Sequence, residues 1–560
     1  MRQDHEGRTR HRHLSRAELR RRRFLAGSLA ALGLGGLGVG GAALLHPSGP
    51  QGPAGHGRDR GHRAHAPLTD LPDLAAHVPQ AAMQKLTALA PAAVEIPHLP
   101  TAPGLDAAIG MSLAKLLRER AVRGEEATLQ VTGRIIAASP QALGVLLDVH
   151  EEEGVSTALL WYRAEGDRAF TSPGLVDAEQ WPAFVSAVRD LAGKERGVDV
   201  EEVTALLQEQ PRPWGNGPAL LPRADGTLDV LLPTVGRGDD ARELMLTVPE
   251  EQAGPLLGED GQAVRAAIAE PADHDPDAVT IPDPGRSVTT TEHPGTGGAA
   301  REAAARGPRT QLAPLAPEGE RPSPVTAPDA RLLRSIALTF DDGPSPKLNA
   351  TLREHLLAER AAATFFMIGR SAQGSPALVA ATAAAGHEIG SHSWSHRELS
   401  KLQGSALGDE VDKPAAALER AIGRAPSILR PPFGARNRGT DRAAGALGEG
   451  VVLWDVDTLD WKTRDAAKTL AAVQENAGRG SIILMHEIHE QSVAAVPSVL
   501  AWIRESGLTT LTCQEIAQNR LHPGQRISHG AERDGAASRK DAGTPTATSG
   551  AATQLEGVGR

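Results

Sequence analysis

Hydrophobic and polar residues follow two alternating patterns between Arg334 and Gln518. Short apolar runs, which predict strands, are separated by amphipathic stretches, which predict helices. The predicted strands are Ile336–Phe340, Ala363–Ile368 and His387–Gly390, and the predicted helices are Leu348–Ala358 and Leu378–Ala385. Strands that alternate with helices indicate βα units in a parallel sheet or barrel, with functional residues at the carboxyl ends of the strands. The pattern therefore predicts an α/β fold.

A second globular pattern lies earlier in the chain, over residues 66–275. Amphipathic stretches at Gly110–Leu117 and Phe184–Leu191 predict helices, and short apolar runs at Leu129–Gly133, Thr157–Tyr162 and Leu228–Leu232 predict strands. This order predicts a small α+β module. The flanking residues 46–65 and 276–330 have the composition of a disordered stalk and a linker, and residues 521–560 that of a disordered tail.

The first 45 residues have the layout of an export signal. Arg20–Arg23 precede an apolar, glycine-rich run from Phe24 to Leu45, as a charged region precedes a hydrophobic one in secretory signals. The segment resembles a twin-arginine signal, with Arg21 and Arg22 as the pair. We therefore expect an exported protein, extracellular or associated with the cell wall. The alternative is an uncleaved membrane anchor over residues 24–45, because the run is about long enough to span a bilayer.

The net charge and the cysteine content of the chain limit which partners it can bind and which cross-links it can form. The formal net charge of the 560-residue chain is -10, which argues against a nucleic-acid partner. Cys513 is the single cysteine, so no intrachain disulfide can form. The fold must therefore be held by burial of its core, with a metal ion as a further source of stability.

Candidate chemistry lies at the ends of two predicted strands. Asp341 and Asp342 follow the first strand, and a turn there can bring both carboxylates to one pocket. His392 and His396 follow the third strand with the i, i+4 spacing that places two imidazoles on one face of a helical turn. The alternatives are an ordinary polar turn and a chance pair of histidines. Together, an aspartate and two histidines predict a site for zinc, cobalt or another divalent ion.

Three further motifs follow in the chain, namely Arg430–Gly434, Asp457–Trp461 and Leu484–His486. With Thr339–Gly343 and His392–His396, they resemble the five ordered motifs of the NodB-type polysaccharide deacetylases, carbohydrate esterase family four. The resemblance implies a distorted (β/α) barrel as the catalytic domain, over residues 331–520. The module before it resembles, weakly, the accessory domains of some Gram-positive wall-polysaccharide deacetylases.

The resemblance assigns a role to each matched residue. Asp341 is expected to be the general base, Asp342, His392 and His396 the metal ligands, and His486 the general acid held by Asp460. Arg430 is expected to pair with Asp341, the N–H of Phe433 to stabilise the oxyanion, and Trp461 and Leu484 to receive the acetyl methyl group. Taken singly, each residue has a plainer structural explanation as part of a rigid loop, as core, or as a hydrogen-bonded histidine.

One departure from the family follows the last motif. Glu487 stands where an aspartate often follows the catalytic histidine, and His489 is an additional candidate proton donor or subsite residue. Arg436 and Arg438 lie just beyond the third motif and are expected either to bind acidic parts of a polymer or to face solvent.

The implied reaction is metal-dependent removal of N-acetyl groups from an amino-sugar polymer, with no covalent intermediate, since no Gly-x-Ser-x-Gly elbow supports one. Peptidoglycan is the first expected substrate and chitin or its oligomers the second. Alternatives from other classes are an O-acetyl esterase acting on a xylan-like polymer, a non-catalytic wall-binding domain, and a wall-docking or signalling function of the 66–275 module.

Overall fold

The computed structural model describes residue 68 and residues 71–123, 129–151, 154–207, 219–235, 242–280, 335–517 and 521–530. All of these residues fall within one compact unit. The predictions for the export signal, the stalk, nearly all of the linker and residues 531–560 lie outside the described residues. Within the described ranges, no helix combines the length and the apolar character needed to cross a membrane.

The larger sheet of the N-terminal module is built around a parallel pair, β2–β3, with antiparallel pairs on both sides. In the described part of the module, its strands run in sequence order: β1 (Ala82–Lys85), β2 (Ala93–His98), β3 (Gln130–Ala138), β4 (Ala142–Glu151), β5 (Gly154–Arg163) and β6 (Arg168–Thr171). The sheet is covered on both faces. Val145 and Leu147 of β4 belong to one core cluster, and Leu146 between them belongs to another. Burial of both faces explains why the first part of this strand, Ala142–Leu147, is continuously apolar.

A smaller antiparallel sheet and its helices complete the module. Its strands are β7 (Ala219–Pro222), β8 (Leu228–Val235) and β9 (Arg242–Val248). The module helices are α1 (Pro103–Arg123), α2 (Trp181–Ala192), α3 (Val200–Leu207), α4 (Glu250–Leu256) and α5 (Glu259–Ala269), with 3₁₀ turns at Ala75–His77, Thr87–Leu89, Ser172–Leu175 and Pro276–Ala278. The predicted α+β class is confirmed. The module reaches beyond the predicted end at residue 275, because Gly166 N donates to Oγ1 of Thr280 at 2.8 Å.

The C-terminal part is a parallel barrel. Its strands among the described residues are β10 (Ser335–Gly343), β11 (Thr364–Met367), β12 (Glu388–Ser391), β13 (Ile428–Leu429), β14 (Gly450–Val452), β15 (Val456–Asp457), β16 (Ile482–His486), β17 (Thr509–Leu511) and β18 (Arg526–Ile527). They run in the order β15-β16-β10-β11-β12-β13-β14-β18, with β17 beside the start of β10. Every pairing is parallel. The predicted (β/α) barrel is confirmed.

The helices between these strands form the outer layer of the barrel. They are α6 (Asn349–Ala358), α7 (Gly369–Gly374), α8 (Pro376–Ala384), α9 (Gly404–Ile422), α10 (Arg438–Ala446), α11 (Asp460–Thr463), α12 (Ala466–Asn476), α13 (Glu490–Glu505) and α14 (Cys513–Ile516), with 3₁₀ turns at Leu399–Lys401 and Pro432–Gly434. On β10 and β16, residues that alternate along the strand divide between two cores. Ala337 and Ile482 fill the barrel interior, whereas Leu338 and Ile483 face the helices.

The segment 521–530 is part of the barrel, and the prediction that the tail begins at residue 521 is wrong for these ten positions. Strand β18 pairs with β14, and a single antiparallel bridge then joins Ser481 to His529. Gly530 N also donates to Gly480 O at 2.7 Å. The segment therefore closes the gap between β14 and the start of β16. Its paired part, Arg526–Ile527, is too short to show an apolar period in the sequence.

The module is joined to the barrel at the amino ends of the strands. Arg118 of α1 contacts the Glu515 carboxylate at 2.6 Å and donates to Gly386 O, just before β12, at 2.9 Å. Gly386 has φ +79, and a Cβ there would meet the main chain of α1. Arg424, before β13, pairs with Asp106 at 2.7 Å. One core cluster includes residues of both parts, so the module covers the end of the barrel opposite the predicted site.

Candidate active site and metal centre

Asp341 and Asp342 lie at a bulge at the carboxyl end of β10. The register with β11 shifts between Asp341 and Gly343, and Asp342 has a left-handed φ of 72°. In a regular strand the two neighbouring side chains would point to opposite faces. Here the Oδ2 atom of Asp341 and the Oδ1 atom of Asp342 each lie 3.6 Å from Nε2 of His392. The bulge therefore brings both carboxylates to one pocket, as the sequence predicts.

His392 and His396 lie on a loop after β12, and the prediction of a helical turn is wrong. Ser393 and His396 have φ values of 62° and 61°, outside the helical region. Glu410 of α9 holds this loop, because its carboxylate accepts from the N–H and the hydroxyl of Ser395 at 2.9 and 2.6 Å. Sequence reasoning missed Glu410, which lies in an amphipathic helix and carries no local signal of this role.

The three predicted ligands form a compact cluster. Nε2 of His396 is 3.3 Å from Oδ1 of Asp342, and one ligand atom from each of Asp342, His392 and His396 lies within 4.8 Å of the others. Oδ1 of Asp342 is buried without a hydrogen-bond partner. Nδ1 of His392 lies 2.7 Å from the carbonyl of Arg430, so a proton on Nδ1 leaves the Nε2 lone pair facing the cluster.

Electrostatics at the cluster also favour a cation. Burial lowers the pKa of His396, as does the neighbouring imidazole of His392, so His396 is kept in the neutral form that binds metals. A carboxylate and two imidazoles at this spacing match the ligand set of a catalytic zinc site with open positions. The residues present therefore fit a divalent ion.

Arg430 is buried beneath Asp341. Its Nη1 atom donates to Oδ1 of Asp341 at 2.8 Å and to the hydroxyl of Thr339 at 2.7 Å. Its Nη2 atom donates to Leu453 O at 3.1 Å, and the guanidinium lies 4.2 Å from the ring centre of Phe366. The side chain is fully buried, so the charge of the Asp341 carboxylate is balanced by a guanidinium with several other fixed contacts.

His486 and Asp460 form the second pair of titratable groups. Nδ1 of His486 lies 2.8 Å from Oδ1 of Asp460, and the N–H of Trp461 donates to the same oxygen at 2.8 Å. Burial alone lowers the pKa of His486. The hydrogen bond and charge of Asp460, with the charges of Asp341 and Asp342, outweigh this effect and raise the pKa. His486 is therefore suited to carry a proton and release it through Nε2.

The three predicted substrate contacts occupy different positions. Leu484 is buried on β16, two residues before His486 and so on the same side of the strand. Phe433 is 62% exposed with φ 62°, and its ring lies 4.7 Å from that of His396. Trp461 is 46% exposed and directly follows Asp460. The structure thus places a buried apolar side chain and two exposed rings around the candidate site.

Arg464 and His489 lie beside this site. Nη1 of Arg464 is 2.5 Å from Nδ1 of His489, and Nε donates to Trp461 O at 2.6 Å. Burial lowers the pKa of His489, and the charge of Arg464 lowers it further. The imidazole of His489 lies 5.9 Å from that of His486. Arg436, by contrast, is paired with Asp441 at 2.6 Å. In the Arg464–His489 pair, the positive charge therefore lies on the guanidinium of Arg464.

The fold and site define a (β/α) barrel with a candidate divalent-metal centre and a hydrogen-bonded His486–Asp460 pair beside it. The sequence profile of the family described as polysaccharide deacetylase matches residues 331–452. A peptidoglycan N-acetylglucosamine deacetylase of Listeria monocytogenes is 35% identical over 37% of this chain and 44% of its own length. One from Bacillus cereus is 37% identical over 31% of this chain and 67% of its own.

A solved structure, described as a T48 deacetylase with substrate, is 39% identical. It covers 35% of this chain and 98% of its own, with a TM-score of 0.34. The profile match and the Bacillus cereus relative show that the chain belongs to the polysaccharide deacetylase family of hydrolases that act on amides. The match spans less than half the length of the Listeria relative.

Proposed function

We propose that this protein is a metal-dependent hydrolase that removes N-acetyl groups from an amino-sugar polymer, with peptidoglycan as the first substrate and chitin or its oligomers as the second. One observation carries the proposal. The Asp342, His392 and His396 cluster, the Asp341–Arg430 pair and the His486–Asp460 pair meet at the carboxyl ends of neighbouring parallel strands. This is the end of a barrel where catalytic residues lie.

Asp342, His392 and His396 would hold a divalent ion, zinc first and cobalt second. Such an ion supplies a Lewis acid that polarises the amide carbonyl and acidifies water. The residues around the cluster supply the proton transfers.

Asp341 would act as the general base and take the proton of the attacking water, with Arg430 balancing its charge. The main-chain N–H of Phe433 would donate to the oxyanion that forms on the carbonyl. His486, whose pKa is raised, would protonate the leaving amine. Asp460 would orient its imidazole through Nδ1. The products are acetate and a free amino sugar.

The rim supports a polysaccharide substrate. Phe433, Leu459, Trp461 and Ile488 are each more than 40% exposed, and each is close in sequence to a site residue. Large apolar side chains that are exposed next to a candidate site favour a binding surface there. Arg464 adds a positive charge beside them. That charge favours peptidoglycan over chitin, because the stem peptides of peptidoglycan carry carboxylates and chitin carries none. Such a substrate agrees with the expectation that the protein is exported.

Acetate release by the full chain tests the proposal, with peptidoglycan, chitin oligomers and acetylated xylan as substrates and zinc or cobalt added. We expect release from the first two and its loss in Asp341→Asn. Release from xylan alone would identify an O-acetyl esterase. No release from any substrate by a protein that binds zinc would favour a wall-binding domain instead.

A further inference from the structure

Glu487 is a buried acidic residue directly after His486 that the mechanism above does not use. It follows the last residue of β16 and is completely shielded from solvent. Carboxyl groups are seldom fully buried unless they have specific partners. The contacts of the Glu487 carboxyl group therefore indicate its role in the structure.

Both the main chain and the side chain of Glu487 bind the turn that carries the two site aspartates. Its N–H donates to Asp341 O at 3.1 Å. Its Oε1 atom accepts from the N–H of Ser345 at 2.8 Å and from Nδ2 of Asn349 at 2.9 Å. Glu487 thus contacts the chain on both sides of Asp342, while its own position is fixed by the strand that ends in His486.

The second carboxyl oxygen lies directly against the turn. Oε2 of Glu487 is buried without a hydrogen-bond partner, and a Cβ added to Gly343 would lie 1.9 Å from it. The main chain at Gly343 therefore packs on the carboxyl group, and the length of the glutamate side chain sets how far the turn lies from β16.

The turn requires such support. Asp342 has φ 72°, a conformation that costs a non-glycine residue about 1–3 kcal/mol and persists only when the surroundings impose it. Without this conformation, the side chains of Asp341 and Asp342 would not both face His392. The hydrogen bonds to Asp341 O and Ser345 N restrain the turn on either side of the strained residue.

We propose that Glu487 is a positioning residue that holds the Asp341–Ser345 turn in the conformation that completes the metal site. Because the Glu487 side chain extends from the end of β16 to Ser345 N, it links the position of the proposed acid His486 to that of the proposed ligand Asp342. This inference rests on the proposed metal site.

The test is the zinc affinity of the full chain, measured by competition with a chromogenic chelator, for Glu487→Asp, Glu487→Ala and Glu487→Gln. The aspartate is one methylene too short to reach Ser345 N, and the alanine has no acceptor. Both should weaken zinc binding about 10- to 100-fold, as loss of groups that orient metal ligands does. Glutamine keeps the length and one acceptor oxygen, so Glu487→Gln should stay within about threefold of the wild type on the same scale.

A matched control separates positioning from general stability. Glu388 of β12 is also a hydrogen-bonded glutamate, and its Oε2 accepts from Thr364 Oγ1 and Cys513 N at 2.8 Å each, away from the turn. Glu388→Asp should lower the midpoint of urea unfolding and leave zinc affinity unchanged. If Glu487→Asp loses stability to the same degree but binds zinc as tightly as the wild type, Glu487 is only structural and the inference is wrong. A wild-type protein that binds no zinc would instead overturn the proposed function, and the inference with it.

Discussion

His486 is held by Asp460 at two points, since Nδ1 of the imidazole lies 2.8 Å from Oδ1 and the main-chain N–H donates to Oδ2 at 2.8 Å. The carboxylate therefore fixes both the orientation of the ring and the nitrogen that carries the resident proton. It also opposes the effect of burial on the imidazole, and the pKa of His486 is raised.

Asp460→Asn should move the alkaline limb of the kcat/KM profile to lower pH. A raised pKa keeps the general acid protonated up to a higher pH, and the neutral amide removes the charge that raises it. If the pKa of His486 falls by about one, kcat/KM should drop about tenfold at a pH above both the old and the new pKa. Acetate release measured from pH 5 to 9 checks this. Asp465→Asn, a change at the N-cap of α12, is the control and should leave the profile unchanged.

Arg430→Lys should impair both activity and folding. A lysine cannot reproduce the guanidinium contacts to Asp341, Thr339 and Leu453 O, so buried acceptors lose their donors. We expect a loss of about 1–3 kcal/mol in the free energy of unfolding, because the positive charge is kept but buried acceptors are left unsatisfied. Urea unfolding and acetate release measure the two effects. A stable variant with wild-type activity would show that the pair is dispensable.

The residues of the site were more predictable than its geometry. Motifs report residue identity, and the structure forms the three groups that the motifs selected: the Asp342, His392 and His396 cluster, the Asp341–Arg430 pair and the His486–Asp460 pair. The roles given to them remain predictions. The helical turn at His392 and His396 was wrong because spacing alone does not reveal the left-handed φ values of Ser393 and His396. Glu410 and Glu487 were missed as supports because their contacts join segments that are distant in sequence.

The same distinction applies to the fold. Apolar periods identified the βα units correctly, since those signals are local. The segment 521–530 has no such period, and its place in the barrel depends on pairing with β14, far away in sequence. The attachment of the module to the amino end of the barrel was equally unpredictable, because both the shared core cluster and polar pairs such as Arg118 with Glu515 join segments that are distant in sequence.

Arg118→Ala should destabilise the module and the barrel together. Its side chain and that of Glu515 are almost fully buried, so the substitution leaves an uncompensated carboxylate in the interface. The expected loss is about 3–5 kcal/mol in the free energy of unfolding. Since one core cluster spans both parts, unfolding followed by circular dichroism and by tryptophan fluorescence should give coincident transitions. Two separate transitions, with only one shifted, would contradict this coupling.

Zinc or cobalt should stabilise the metal-free protein against heat. Asp342, His392 and His396 are brought together only in the folded chain, so an ion that binds them favours the native state. At a free zinc concentration of 100 times Kd, the gain should be about 2.7 kcal/mol. His396→Gln should abolish most of it. His489→Gln, which alters a nearby histidine outside the cluster, should retain it. Thermal unfolding with and without a chelator measures both.

Arg464→Gln should reduce activity selectively on substrates that carry a carboxylate. Arg464 is exposed, and its guanidinium is held by Trp461 O and Nδ1 of His489. The imidazole of His489 in turn lies 5.9 Å from that of the proposed acid His486. A charge-assisted contact at an exposed site contributes about 1 kcal/mol, so kcat/KM on peptidoglycan fragments that carry acidic stem peptides should fall roughly fivefold.

Activity on neutral N-acetylglucosamine oligomers should stay near the wild-type value in the same variant. Arg504→Gln makes the same change in charge at the end of α13, where its partner is Glu359, and should affect neither substrate. Because screening weakens an exposed contact, the wild-type preference for the acidic glycan should also shrink as ionic strength rises. Equal losses on both substrates would mean that Arg464 supports Trp461 and His489 and does not recognise an anion. A preference that is unchanged in the variant and insensitive to salt would show that the charge plays no part in choosing the polymer.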